Sequence, residues 1–210
     1  MKQKINQTLY AYWNDVRQDR MAPRRFEIEP SQIAGILPHT FILERHDSET
    51  FRFRLAGTAL CDCFGKEFRD TNFLDGWEDE DRVTLERMLG VVTTQGGVSR
   101  LEIQATSPSG LSVGFEVILL PLVHTRETID RVLGAFAPTS EPDWLGYQAL
   151  PTQRLTVNEV IWPDGRPPTV VDALHRQVPF LPHIRKSRIV RSERRQFRVY
   201  DGGLAKPHDE

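Results

Sequence analysis

Apolar residues recur at helical spacing over residues 3–20. Ile5, Leu9, Tyr12, Trp13 and Val16 share one face, and charged or amide side chains fill the other. Pro23 is expected to end this helix. Ser31 is placed to cap a short helix through Leu37, which Pro38 stops. Two β-rich runs follow at 40–45 and 51–56, joined by His46-Asp47-Ser48-Glu49-Thr50. In the second run Phe51, Phe53 and Leu55 alternate with Arg52, Arg54 and Ala56, the period-two pattern of a strand with one wet face. Gly57 breaks it, and residues 58–64 suit a short helix ending at Gly65. Residues 66–78 show no period but carry Phe68, Phe73 and Trp77 as apolar anchors. Residues 78–94 read as a longer helix with Val83, Leu85, Met88, Leu89 and Val92 on its buried side, closed by Gly96-Gly97. Three strands complete the pattern at 98–105, 111–122 and 130–137, each with alternating apolar residues.

Short turns between neighbouring strands favour antiparallel pairing. The element order therefore predicts an α+β fold: a five-stranded antiparallel sheet flanked by helices, with an N-terminal helix and an extended C-terminal appendage. The expected divisions are an N-terminal helical segment (1–39), a core (40–140), a Pro-rich extension (141–175) and a basic tail (176–210). Residues 155–162 within the extension are a candidate for one more strand. Prolines 151, 163, 167, 168, 179 and 182 mark the extended character of this region. No internal repeat is evident.

Charge changes this picture more than composition does. The formal net charge is −2, but between Arg176 and Arg198 stand eight Lys/Arg and one acid. The acidic body and the basic tail are two different objects, and the tail reads first as a solvated segment that balances the charge of the body. No run approaches the roughly 20 apolar residues of a membrane span. The first residues lead straight into the amphipathic helix without an apolar leader core, so a cytoplasmic location is expected.

A further set of residues carries a resemblance. Tyr12-Trp13, Arg17, Arg20, Pro23, Arg25, Ile28 and Pro30 come first, then Ile36-Leu37-Pro38 and Phe53-Arg54-Leu55-Ala56-Gly57-Thr58. Phe64-Gly65-Lys66-Glu67, Glu116 with Leu119-Leu120-Pro121-Leu122, and Leu133-Gly134 follow. Over about residues 8–140 the chain resembles a bacterial family of small single-domain PAS proteins, long catalogued as a domain of unknown function. The resemblance implies a PAS-like fold and a cytoplasmic sensory or regulatory module. It names no ligand.

In such a fold Phe53, Leu55, Ile103, Phe115, Val117, Leu119 and Phe136 would point inward from the sheet, and Leu60, Phe64, Phe73, Trp77 and Met88 would cap them. This set is both an ordinary core and the lining of an apolar small-molecule cleft. Glu116, between inward residues, is expected to face solvent or a partner. The cysteines of Leu60-Cys61-Asp62-Cys63-Phe64 do not form a flavin-attachment motif, and no histidine falls within 58–94. Haem and flavin are therefore disfavoured, and the cofactor is unknown. The Cys-x-Cys pair lacks the partners of a zinc site, and no metal is expected. Its alternatives are two small core residues or a redox-sensitive pair. The acids of Glu78-Asp79-Glu80-Asp81 suit a helix N-terminus, whose dipole favours them.

No nucleophile elbow, phosphate loop or metalloprotease motif is present. The preferred reading is a non-enzymatic regulator acting through a protein partner, with a small ligand in the cleft as modulator. A homodimer contact through the N-terminal helix is a further expectation. The alternatives are an enzyme of unrecognised chemistry and a nucleic-acid-associated protein. The latter would use Arg185, Lys186, Arg188, Arg191, Arg194, Arg195 and Arg198. Arg194-x-x-x-Arg198 also resembles the opening of a cyclic-dinucleotide motif, but the rest of that motif is missing.

Overall fold

The computed structural model describes residues 1–124 and 128–165. The basic tail and its seven candidate contact residues, Arg185 to Arg198, lie outside the described residues.

Helix α1 (Lys4–Arg17) buries Asn6, Leu9, Trp13 and Arg17 along one stripe. It ends well before Pro23, because Gln18 takes a left-handed φ of 53° and returns its N–H to the Asn14 carbonyl. A 3₁₀ turn follows at Arg25–Glu27, and a kinked 3₁₀ segment spans Pro30–His39. That segment replaces the predicted α-helix. Its N-cap is Glu29 and not Ser31, and Pro38 sits inside it, which short 3₁₀ stretches accommodate.

Strands β1 (Thr40–Arg45) and β2 (Phe51–Ala56) form the predicted hairpin. Helices α2 (Thr58–Phe64) and α3 (Asp79–Gln95) follow. Then come β3 (Val98–Thr106), β4 (Ser112–Val123), β5 (Ile129–Pro138) and β6 (Thr152–Ile161). All pairs are antiparallel, in the order β2-β1-β5-β4-β3-β6.

The sheet therefore has six strands, not five. The sixth comes from the segment read as a Pro-rich extension. It pairs with β3 from Thr152↔Thr106 to Ile161↔Val98. Its pattern is weak because it is an edge strand with a bulge, and Val160 alone on it is buried.

The sheet is covered on both faces. On one face α2, α3 and residues 66–78 close over Phe41, Leu43, Phe53, Leu101, Ile103, Phe115, Val117, Leu119 and Phe136. On the other, α1, the link after the 25–27 turn and the 3₁₀ segment pack on Ile42, Ile118, Leu120, Leu122, Leu133 and Ala135 through Leu9, Trp13, Ile28 and Ile33. Strand β4 contributes to both cores, which explains its nearly continuous apolar run.

Two predicted inward residues face outward. Val83 is 53% exposed, because it lies two residues from Leu85 and so about 200° round the helix from the buried stripe. Leu55 is 44% exposed. A bulge pairs Leu43 with Phe53 but Ile42 with Leu55, which moves Leu55 to the α1 face at the sheet's edge.

Candidate functional site

The candidate ligand residues gather between the sheet and α2/α3. Phe53, Leu60, Phe64, Phe73, Met88, Ile103, Phe115, Val117 and Phe136 share one buried cluster. Leu55 does not belong to it, for the reason just given. The nine residues touch one another more than they line a space. Ring centroids stand 4.9 Å apart for Phe53–Phe68, 5.3 Å for Phe64–Phe115, 5.4 Å for Phe41–Phe136 and 5.6 Å for Phe64–Phe136. Offset and edge-on pairs at such distances add stability beyond burial alone.

Phe41 lies outside the set that strand alternation alone points inward. It sits at the centre of this stack, against Phe53, Phe73 and Phe136. Its signal was Gly134. A Cβ at Gly134 would stand 2.1 Å from Phe41 Cζ and 2.6 Å from the Ile118 carbonyl oxygen. The bare glycine lets the Phe41 ring lie over its neighbouring strand. Gly57 has a similar reason, since a Cβ there would meet the Pro38 carbonyl oxygen at 2.2 Å.

A recess of about 280 Å³ opens beside the end of α2. Phe64, Lys66, Phe68, Asp75, Leu150 and Gln153 are among its lining residues. Phe64 and Phe68 belong to both the recess and the ring stack. Cys61 and Cys63 lie nearby on α2, both free and half-buried. Burial, then neighbouring acids, push both thiols up from their ordinary range, which makes them weak nucleophiles.

A second constellation lies on the opposite face. Glu116 is 1% exposed and does not face solvent. Its Oε2 accepts from the Lys2 amide at 2.9 Å and from Arg100 Nε at 2.8 Å. Its Oε1 accepts from the Gln3 amide at 3.0 Å and from Asn6 Nδ2 at 3.1 Å. The carboxylate thus caps the N-terminus of α1, where free amides and the helix dipole favour a negative charge. Burial opposes its ionisation, but the Lys2 and Gln3 amides, Arg100 and Asn6 more than offset this, and its pKa falls to about 2. Arg100 also pairs with Glu102 and Glu159. It thereby reconciles Glu102 and Glu116, which stand directly opposite each other on β3 and β4. The Lys2 ammonium and then Arg100 hold the Glu102 carboxyl below its usual range. Glu116 faces inward because α1 covers this side of β4, and that cover is invisible in the strand's own alternation.

The acids at the start of α3 do more than complement its dipole. Asp81 Oδ2 accepts the Leu155 amide at 2.9 Å, and Glu78 pairs with Arg154 at 2.5 Å. They tie α3 to β6. Among the described residues no cluster of His, Cys, Asp or Glu could hold a metal ion, and no helix is long and apolar enough to cross a membrane.

The PAS-domain family matches residues 1–137, and the chain belongs to that family. A solved structure of an RsLOV variant has 11% identity and a TM-score of 0.37, covering 68% of this chain and 72% of that one. None of the curated proteins matches it. PAS domains as a family are sensory and regulatory modules and not, in general, enzymes.

Proposed function

We propose that this chain is a cytoplasmic regulatory PAS protein whose output is a change in affinity for a protein partner, with no catalysis of its own. The observation that carries this reading is the continuous ring stack. It runs from the recess at Phe64 and Phe68 through Phe136 and Phe41 to the sheet. A small apolar ligand at the recess would bear on Phe64 and Phe68, and tight packing passes such a displacement to the strands beneath. The ligand shifts affinity only as far as it binds two conformations differently.

The test has two arms. Affinity purification from source cells identifies a partner, and calorimetry with the purified partner measures its affinity with and without metabolites that raise the melting temperature. A stoichiometric complex whose affinity responds to a stabilising metabolite is expected. Failure to form any such complex, together with turnover of a metabolite, would replace this reading with an enzymatic one. The eight Lys/Arg of 176–198 favour nucleic-acid contact as a second reading. Binding that weakens steeply with salt and disappears on deletion of 176–210 would support it.

A further inference from the structure

The two edges of the sheet differ. The outer edge of β2 is covered, since Phe53 and Phe51 exchange backbone hydrogen bonds of 2.8–3.0 Å with Asp70, Thr71 and Phe73. Among the described residues the outer edge of β6 is largely open. Its phase follows from β3. The Ser107 amide bonds the Leu111 carbonyl across to β4, so Thr106, Gln104, Glu102, Arg100 and Val98 turn their backbone groups toward β6. Their partners Thr152, Arg154, Val157, Glu159 and Ile161 turn theirs toward β3. Gln153, Leu155, Asn158 and Val160 therefore present N–H and C=O outward. The Leu155 N–H does point outward, to Asp81. Among the described residues the other three outward amides have no partner.

We propose that this edge is the contact surface for a second copy of the same chain, paired antiparallel about a two-fold axis between Thr156 and Val157. In that register Arg154 stands opposite the second copy's Glu159, and the contact occurs twice. Gln153 meets Val160, and Leu155 meets Asn158. Three observations select it. First, paired residues must share a face. Arg154 and Glu159 lie opposite Gln104 and Arg100 on the α1 face, while Leu155 and Asn158 lie opposite Ile103 and Leu101 on the helix face. The bulge between Glu102 and Ile103 leaves Thr156 as an extra residue, and the faces match on both sides of it only when the two bulges meet at the axis. Second, the pairs 153/160 and 155/158 join residues whose backbone groups all point outward. Third, the charges are complementary: the side chains of Arg154 and Glu159 are 58% and 55% exposed, and the contact would exchange their present partners, Glu78 and Arg100, for each other. A shorter face-matched pairing centred on Glu159 would set that carboxylate against its own copy. Val157, 38% exposed, gains cover at the axis.

Asp81 acts against this contact, because its carboxylate already holds the Leu155 amide that the second copy's Asn158 carbonyl would take. Among the described residues the edge is thus open but competed for. This inference deepens the regulatory reading by naming one surface and its occupant.

Analytical ultracentrifugation of the full chain tests it. A concentration-dependent dimer is expected. Arg154→Glu and Glu159→Arg should each raise its dissociation constant about tenfold, since each opposes like charges at two symmetric sites. The double variant should recover to within about threefold of the original. Asn158→Pro removes an outward N–H without touching the β3 ladder and should abolish the dimer. If Asn158→Pro fails to fold, the charge exchange still decides. A chain monomeric at every concentration reached, or a dimer indifferent to both charge reversals, overturns the proposal. A monomer that still binds a regulatory partner sinks this inference alone, whereas a β6 dimer that binds no partner sinks the regulatory reading alone.

Discussion

Glu116→Gln is the most informative single change, because it keeps the shape of the side chain and removes only its charge. In the folded chain the Glu116 pKa drops from an ordinary 4.5 to about 2. At about 1.4 kcal/mol per unit, that shift corresponds to about 3 kcal/mol of stability at neutral pH. The sign follows from the direction. Glu116 holds its proton less tightly when folded than when unfolded, so its contribution is complete above pH 4.5 and drains as the pH falls toward 2. About 2 of those 3 kcal/mol should be gone by pH 3. Urea unfolding of the original and the variant should therefore show a gap of about 3 kcal/mol at pH 7 that narrows toward pH 3. Hydrogen exchange should report faster opening of α1 in the variant, because the amides of Lys2 and Gln3 lose their anionic cap. Glu102→Gln serves as the control, since that carboxylate is more exposed and should cost under about 1 kcal/mol. A gap below about 1 kcal/mol at pH 7, or one unchanged at pH 3, would refute the capping argument.

Three other outcomes follow from the same contacts. Gly134→Ala drives a methyl into the Phe41 ring and should cost about 1–3 kcal/mol, part of which Phe41→Leu in the double variant should return, as read by thermal unfolding. Trp13→Phe keeps most of the buried ring but orphans the Pro121 carbonyl, which now accepts from Trp13 Nε1 at 2.9 Å. A loss of about 1–3 kcal/mol is expected in urea unfolding. Leu55→Gln should change stability by under about 0.5 kcal/mol, while Phe53→Ala two residues away should cost about 3–5 kcal/mol; equal costs would refute the part given to the bulge.

The sequence by itself determined the elements whose signal is local. The hairpin at 40–56, the short helix at 58–64 and the strands around 98–138 follow from alternation, helical spacing and glycine stops, because each of those patterns is written in neighbouring residues. Nine of the ten candidate pocket residues lie in one buried cluster, which is packed as a core. What the tertiary structure decided is whatever depends on a second element. A single bulge reversed Leu55. The cover of α1 turned Glu116 from an outward carboxylate into a buried helix cap, with Asn6 and Arg100 as partners from distant positions. Phe41 became the centre of the ring stack only once Gly134 lay opposite it. β6 had almost no apolar signal of its own. It owes its place to the free edge of β3 and to two acids at the start of α3, since an edge strand is held by backbone pairing and needs little burial.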